Sequence, residues 1–370
     1  MSRVRDAQLC LAAGMGRWEP IADWSAPPYI LLPNTYEPAS ARYPYAPHMC
    51  DRGKPSARPA IKWRWVPEGP GCSSLRLQET RRLAAAFCRR HAGSSILVAG
   101  SSVMVPMYIA LVGVLDSSPR WHHHYCQEGV SSSAVSMEWL HSAHVCGDDP
   151  KTRIKVQYLS NELGVYNKSR ETSGEDSGKS ACDDKCDFYC KRQLPFIAHA
   201  ARSDFVLLES ASVVQATRPI SPWLEGPTKE ARKTLEALAA LRPRPRVIIR
   251  GPPFDFPPGS CKRMRDPLPE PYAYNMSDPS VRASRAVVRF QMHLNSASNE
   301  EARAAVDAYA ASAGKYITFL DILRATAMRP GGRHSARKDC THWCLPGPVD
   351  DWVRLALAWW LLRDESERGG

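Results

Sequence analysis

Long hydrophobic runs are missing from this sequence. The most apolar stretch, residues 96–115, is interrupted by small and polar residues and a proline. It therefore falls short of the roughly 18 apolar residues that span a bilayer. Residues 1–6 are polar and do not form the apolar core of a secretory signal peptide. These two absences predict no membrane-spanning helix within the sequence and, taken alone, indicate the cytosol.

Clusters of basic residues are also missing. The formal net charge is +11, which favours an anionic or polyhydroxylated environment. The lysines and arginines are scattered, however, and never form a block of five. A nucleic-acid-binding protein needs a basic stripe with interleaved aromatic residues, and the one such patch, residues 62–65, is short. We therefore predict no nucleic-acid partner.

Cysteine, in contrast, is abundant. The twelve cysteines are spread widely along the chain, as in proteins of an oxidising compartment. Two N-glycosylation sequons, at Asn167 and Asn275, agree with that compartment. We reconcile the cysteines with the missing targeting segment by expecting a membrane anchor that this sequence lacks.

Proline is concentrated near the start of the chain. We predict that residues 10–75 form a coil-rich segment that wraps around the main domain. Cys10, Cys50 and Cys72 are expected to tie this segment down, and Cys261 is expected to pair with either Cys340 or Cys344, although sequence alone does not fix disulfide connectivity.

Residues 76–363 show the pattern of an α/β domain. Short apolar strands alternate with amphipathic helices, which predicts a parallel sheet with helices on both faces, in three α/β/α layers. Residues 117–194 are polar, with five cysteines and three consecutive histidines, and are predicted to be an insertion. The predicted strands are 96–99, 205–208, 247–250 and 316–320, and the predicted helices are 78–91, 229–241, 281–313 and 349–362.

An aspartate and a histidine three residues apart stand in a cysteine-flanked loop before the last helix. Asp339 can hold the His342 imidazole through its Nδ1–H, which leaves Nε2 to take a proton from a nucleophile. The alternative is a structural contact in a disulfide-tied corner.

A serine turn follows the first predicted strand of the main domain. Gly100, Ser101 and Ser102 lie between this strand and a helix. A serine hydroxyl at that edge of the sheet meets backbone N–H groups that can stabilise an oxyanion. Many turns of this kind only begin a helix, so the pattern needs further support.

Tryptophan-rich blocks near both ends of the chain supply that support. Residues 339–347 read Asp-Cys-Thr-His-Trp-Cys-Leu-Pro-Gly and are followed by Asp350-Asp351-Trp352. Residues 62–67 read Lys-Trp-Arg-Trp-Val-Pro, and residues 16–18 read Gly-Arg-Trp. These blocks closely resemble those of the trichome birefringence-like proteins, a PC-esterase family of plant and algal polysaccharide O-acetyltransferases.

The resemblance implies an SGNH-hydrolase-like fold with a smaller coil-rich N-terminal lobe, and residence in the Golgi lumen. It implies acetyl transfer to a polysaccharide acceptor from an acetyl donor, through an acyl-serine and without a cofactor. The implied catalytic residues are Ser102, His342 and Asp339. The implied oxyanion or substrate-binding residues are Gly100, Ser101, Arg250 and Trp343.

The chain departs from the family pattern around the nucleophile. Ser101 stands where the family has aspartate, and residues 209–213 replace an Asn-Thr-Gly-His-Trp element. Asp255 stands where a Ser-Pro-x-His segment has its histidine. Loss of one oxyanion donor costs on the order of a hundredfold in rate. A carbohydrate acetyl esterase and a non-catalytic polysaccharide-binding descendant are therefore the alternatives.

The polar region also contains zinc-capable side chains. They are His122, His123 and His124 with Cys126, and the trio Cys182, Cys186 and Cys190. The four-residue spacing of the trio differs from the three-residue step of common zinc knuckles. We therefore expect solvated histidines, disulfides among Cys126, Cys146 and the trio, and no metal.

Overall fold

The computed structural model describes residues 2–21, 62–75, 77–100, 102–116, 120–124, 140–160, 196–210, 234–257, 264, 266–282, 295–313, 316–333 and 342–368. The helices in this part are α1 (Ser2–Ala13), α2 (Thr80–Arg90), α3 (Val105–Leu115), α4 (Phe196–Ala200), α5 (234–240), α6 (Pro279–Arg282), α7 (Asn295–Ala313), α8 (Leu323–Ala327) and α9 (Pro348–Arg368). The strands are β1 (Gly16–Pro20), β2 (Trp63–Pro67), β3 (Ser95–Gly100), β4 (Arg120–His124), β5 (Leu140–Val145), β6 (Ile154–Ser160), β7 (Phe205–Glu209), β8 (Arg246–Arg250) and β9 (Ile317–Leu320).

A seven-stranded sheet forms the centre of the molecule, in the order β4-β5-β6-β3-β7-β8-β9. The five strands from β6 to β9 in this order are parallel. Strands β4 and β5 are antiparallel. The four strands predicted from the sequence are confirmed as β3, β7, β8 and β9, and the sheet is mostly rather than wholly parallel.

Alternation along the strands produces two cores, one on each face of the sheet. In β3, Ile96 and Val98 pack into a core that also contains α2, α3 and α9. Leu97 and Ala99 point the other way, into a core with α5 and α7. Because successive strand residues point to opposite faces, one apolar run serves both layers. The predicted three-layer α/β/α fold is confirmed.

Residues 117–194 contribute more to the sheet than an insertion would. Strands β4, β5 and β6 all arise from this region, and β6 pairs with β3 along its full length. In β6, Ile154, Val156 and Tyr158 are buried and alternate with polar residues. The prediction missed this strand because the surrounding sequence is polar. Residues 161–195 lie outside the described part.

The N-terminal lobe is more regular than the predicted coil. Helix α1 buries Val4, Ala7 and Leu11, whose spacing of three and four places them on one face. Strands β1 and β2 pair antiparallel, with Trp18 opposite Trp65. The prolines after residue 19 hid the strand pair from sequence analysis, whereas the helix was missed in a segment without proline.

The N-terminal lobe is fixed to the start of α9. The backbone N–H of Trp65 donates to Asp351 Oδ2 at 2.9 Å, and Arg354 donates to the Trp65 carbonyl oxygen at 2.7 Å. The rings of Trp18 and Trp65 meet edge to face, with centroids 5.4 Å apart. The two tryptophan-rich blocks of the sequence therefore meet in the fold.

Disulfides join distant parts of the described chain. Cys10 is bonded to Cys72, as expected for two of the three cysteines of the wrapping segment; Cys50 lies outside the described residues. Cys146 is bonded to Cys88 at the end of α2. The prediction that Cys146 pairs with cysteines of the polar region is therefore wrong, because β5 carries it to the amino end of the sheet beside α2.

None of the helices in the described ranges combines the length and the apolar character needed to cross a bilayer. Helix α3 is almost wholly buried and apolar, but it has 11 residues and packs between α2, α9 and the sheet. Its hydrophobicity is explained by burial inside the protein.

Candidate active site

The carboxyl edge of the sheet collects several of the candidate residues. The parallel strands β3, β7 and β8 end at Gly100, Glu209 and Arg250. Parallel strands finish at the same edge, and open α/β sheets place their ligands there. Gly100 and Arg250 were both predicted as site residues, and this edge brings them together.

Ser102 begins the short 3₁₀ turn between β3 and α3. Its backbone therefore lies at the carboxyl edge of the central strand. Pro106 stands in the first turn of α3, where a missing N–H leaves no helical hydrogen bond unmade. Ser101 and the Ser102 side chain lie outside the described part, so the role of Ser102 stays a prediction.

Gly100 is closely surrounded. A Cβ added to this residue would lie 2.5 Å from Met104 Cγ and 2.7 Å from Glu209 Cβ. Side-chain carbons do not approach this closely without displacement, so only glycine fits. The hydroxyl of Tyr158 donates to the Gly100 carbonyl oxygen at 3.1 Å. Gly100, the residue before the serine turn, is therefore contacted by side chains of β6 and β7.

A buried ion pair lies beside this turn. Arg250 Nη2 is 2.6 Å from Glu209 Oε1, and both side chains are almost wholly inaccessible to solvent. Arg250 Nε lies 3.0 Å from Met104 Sδ, and Nη1 donates to the Gly251 carbonyl oxygen. Burial lowers the pKa of Arg250, and the Glu209 charge partly offsets that effect. The Arg250 guanidinium is therefore bound by protein groups beneath the turn.

The loop that carries His342 lies at the same edge as Ser102. Helix α9 follows this loop, and Asp364 near its other end is paired with Arg246, the first residue of β8. Asp364 is also 3.1 Å from His91. Because the end of α9 meets the amino edge of the sheet, its beginning lies towards the carboxyl edge. His342 is half-buried there.

Trp343 is fully buried next to His342. The Arg333 guanidinium lies over its indole, 3.8 Å from the ring centroid, and Arg333 Nη1 is 3.4 Å from Asp255 Oδ1. A backbone bridge joins Arg333 to Trp343, and the Cys344 N–H donates to the Gly332 carbonyl oxygen. These contacts fix the loop against the segment that follows β8.

Several predicted partners fall outside the described residues. They include Asp339, so its pairing with His342 stays a prediction. Cys344 is disulfide-bonded, and because the other four described cysteines pair among themselves, its partner also lies outside them. The pairing predicted for Cys261 therefore stays a prediction.

Among the residues that the structure describes, no group of three or more histidine, cysteine, aspartate or glutamate side chains is placed to hold a metal ion. His122, His123 and His124 belong to β4, and nothing is described of their side chains. The cysteine trio lies outside the described ranges. The prediction that these histidines and cysteines bind no metal therefore stays a prediction.

Sequence reasoning missed two charged residues near the site, Glu209 and Arg333. It treated Glu209 only as a departure from the family pattern and did not single out Arg333. The signal for Glu209 was a charged residue at the end of an otherwise apolar strand. A buried charge at such a place needs a partner, and Arg250 ends a neighbouring strand.

Comparison with known proteins supports the resemblance seen in the sequence. Residues 258–359 match the family described as PC-Esterase, the GDSL/SGNH-like Acyl-Esterase family found in Pmr5 and Cas1p. This region contains His342, Trp343 and Arg333. It ends inside α9.

Shorter stretches are similar to individual plant proteins. One is 44% identical over 54 residues to Xyloglucan O-acetyltransferase 4 from Populus trichocarpa, covering 12% of this chain and 13% of that protein. Another is 37% identical over 68 residues to Protein trichome birefringence-like 19 from Arabidopsis thaliana, covering 15% of each. A third is 38% identical over 53 residues to xyloglucan O-acetyltransferase 2 from Arabidopsis thaliana, covering 12% of this chain and 13% of that protein. The matches span well under a quarter of these relatives.

Proposed function

We propose that the protein is a polysaccharide O-acetyltransferase, because residues 258–359 match the PC-esterase family. The acceptor is a polysaccharide hydroxyl, and the second substrate is an acetyl donor. Similarity to two xyloglucan O-acetyltransferases supports this class of reaction. No cofactor takes part, since acyl-serine chemistry needs only protein side chains.

The reaction proceeds in two acyl-transfer steps. Ser102 Oγ attacks the carbonyl carbon of the acetyl donor while His342 takes the hydroxyl proton, and the leaving group departs with that proton. A sugar hydroxyl then attacks acetyl-Ser102, losing its proton to His342, and the proton returns to Ser102 Oγ as the ester bond breaks. Asp339 orients the imidazole and stabilises its protonated form. Backbone N–H groups near Gly100 and Ser101 stabilise the oxyanion.

One observation carries this proposal: the backbone of Ser102 and the loop of His342 both lie towards the carboxyl edge of the sheet. Residues 240 positions apart in the sequence approach the same edge, as a shared catalytic role requires. The buried Arg250 and Glu209 support the turn from below. Gly100 permits the close packing that this arrangement needs.

A non-catalytic polysaccharide-binding protein is the second candidate. Ser101, Glu209 and Asp255 replace polar groups of the family pattern, and these changes favour loss of the oxyanion site over loss of the fold. A carbohydrate acetyl esterase, which uses water in place of the sugar, is the third. Exclusion of water from the acetyl-enzyme decides between transfer and hydrolysis.

We place the protein in the lumen of the secretory pathway. Its disulfides, such as Cys10–Cys72 and Cys88–Cys146, suit an oxidising compartment. Asn275 of the second sequon is exposed, in a turn where its side chain accepts the Ser277 N–H.

A transfer assay with His342→Gln tests the proposed function. The protein is incubated with an activated acetyl ester and xyloglucan oligosaccharides, and acetylated oligosaccharide and free acetate are both measured. We expect wild type to make acetylated oligosaccharide, and the variant to lose activity by about a thousandfold or more. His144→Gln, which replaces a half-buried histidine in β5 near the amino edge, is the matched control and should retain activity.

The ratio of products separates the three candidates. Free acetate without acetylated sugar identifies an esterase. If wild type and His342→Gln release acetate and acetylate the oligosaccharide at the same background rates, both enzymatic functions are contradicted and the binding protein is favoured.

A further inference from the structure

We propose that Asp255, Tyr272 and Tyr274, supported by Arg333, form a subsite that binds a neutral, hydroxyl-rich sugar of the acceptor. The inference rests on the proposed function, because it assigns the acceptor a place beside the His342 loop. Nothing in the comparisons assigns a role to these four residues.

Asp255 follows the end of β8 by five residues, at the carboxyl edge of the sheet. The segment that carries the two tyrosines runs beside the residues after β9. The Tyr272 N–H donates to the Ala327 carbonyl oxygen at 3.1 Å, and the Leu268 N–H donates to the Met328 carbonyl oxygen at 2.8 Å. Both halves of the subsite are therefore held by elements of the same sheet edge.

Four aromatic rings form one cluster at this place. Phe254 and Phe256 are buried, and their rings support Tyr272 and Tyr274, which are half-buried. Phe254 and Tyr274 are stacked with centroids 5.4 Å apart, and Tyr272 meets Phe256 edge to face at the same distance. A half-buried tyrosine held by its neighbours presents an apolar ring face and a polar hydroxyl group to solvent. The C–H face of a sugar ring packs on such a surface.

Asp255 places a carboxylate beside these rings. Its side chain is 22% exposed, whereas that of Arg333, 3.4 Å away, is fully buried. The Tyr274 hydroxyl donates to the Asp255 carbonyl oxygen at 2.5 Å. Burial, followed by the Asp255 charge, raises the pKa of Tyr274, so this phenol stays protonated. An ionised carboxylate accepts hydrogen bonds from neighbouring sugar hydroxyls.

The charges of this subsite favour a neutral sugar over an acidic one. The only charged group of the four residues that reaches solvent is the Asp255 carboxylate, because the Arg333 guanidinium is fully buried. A uronic acid would bring a second carboxylate close to Asp255 and be repelled. A neutral sugar meets no such penalty.

The subsite is continuous with the candidate catalytic loop. Arg333 contacts Asp255 on one side and lies over Trp343 on the other, and Trp343 is next to His342. Asp255 stands where the resembling family has a histidine. The substitution therefore places a carboxylate where that family has an imidazole.

Acceptor binding measured by calorimetry tests the proposal directly. The probes are a neutral xyloglucan oligosaccharide and an oligogalacturonate, and the variants are Asp255→Asn and Tyr272→Leu. We expect each variant to bind the neutral probe about tenfold more weakly, the loss expected for one hydrogen bond or one stacking contact. Asp255→Asn should also reduce the preference for the neutral probe over the oligogalacturonate. Glu270→Gln, which replaces an 80%-exposed carboxylate on the same segment, should bind like wild type.

Calorimetry without an acetyl donor keeps this proposal separate from the proposed function. Sugar binding by Asp255→Asn and Tyr272→Leu is then measured independently of acetyl transfer, which is assayed in wild type. Weaker sugar binding by the variants, combined with no acetyl transfer by wild type, would retain the subsite and refute the acetyltransferase. Unchanged affinity in both folded variants, confirmed by their melting temperatures, would overturn the subsite.

Discussion

At the scale of single residues, the serine turn depends on a buried charge pair. Glu209 and Arg250 lie opposite each other on β7 and β8, and their contacts reach Gly100 and Met104. A buried pair is costly to desolvate, and losing one partner is costlier because it leaves the other charge uncompensated. The pair therefore acts as a support for the turn rather than as a source of net stability.

Replacing one member of this pair should destabilise the protein. We expect Glu209→Gln to lower the free energy of unfolding by about 3–5 kcal/mol, because Arg250 is left buried without its counter-charge. Urea denaturation measures the change. Glu19→Gln, which disturbs the exposed pair with Arg17, is the control and should change stability by less than about 1 kcal/mol.

The double variant Glu209→Leu with Arg250→Met separates charge from packing. It should recover part of the stability lost in Glu209→Gln, because two apolar side chains leave no unpaired charge. A double variant less stable than Glu209→Gln would contradict this account of the pair.

Sequence reasoning found some of these residues and misjudged their surroundings. Gly100 was predicted in the turn directly after a strand and is the last residue of β3; the position was found within one residue because a strand followed by Gly-Ser is a local pattern. Arg250 was predicted to bind substrate or an oxyanion, and that role stays a prediction; its contact with Glu209 was not foreseen. That contact depends on the register between β7 and β8, which no local pattern specifies.

At the scale of elements, the N-terminal lobe is closed by a disulfide and hydrogen-bonded to helix α9. The Cys10–Cys72 disulfide joins α1 to the turn after β2, and Trp65 is hydrogen-bonded to Asp351 and Arg354 of α9. Arg329 lies buried between these elements, with its guanidinium near the rings of Trp18 and Trp63. Burial lowers the pKa of Arg329 to about 10. The lobe and α9 therefore form one packed unit.

Removing the Cys10–Cys72 disulfide should weaken this unit. The bond closes a loop of 62 residues, and we expect the paired change Cys10→Ala with Cys72→Ala to cost about 2–5 kcal/mol of unfolding free energy. Thermal or urea denaturation under non-reducing conditions measures it. Leu9→Ala, at a 54%-exposed position of the same helix, is the control and should cost less than about 1 kcal/mol. Equal stability of the double variant and wild type would contradict a structural role for the bond.

The elements that sequence analysis predicted best were those with continuous apolar patterns. The four buried parallel strands, α2 and α9 were identified because burial on both faces, or a 3.6-residue period, is visible in a short window. Strand β6 and the pair β1–β2 were missed. Their stability comes from neighbours distant in the chain, such as β3 for β6, and a polar or proline-rich context conceals them.

At the scale of the whole molecule, the fold brings together segments from both ends of the chain. Gly100 ends β3, Asp255 follows β8, and His342 precedes α9, and all three lie towards one edge of the sheet. The family match over residues 258–359 contains the proposed base, whereas the proposed nucleophile is more than 150 residues earlier. An active site built this way forms only when the three-layer core is folded.

Intact-mass analysis after exposure to an activated acetyl ester tests the central claim most directly. Wild type, Ser102→Ala and the control Ser101→Ala are compared, and peptide mapping locates the acetyl group. We predict one acetyl adduct on Ser102 in wild type and in Ser101→Ala, and none at this site in Ser102→Ala, because Ser102 is the proposed nucleophile. No adduct on Ser102 in wild type, or the same adduct yield after Ser102→Ala, would contradict an acyl-serine mechanism at this turn.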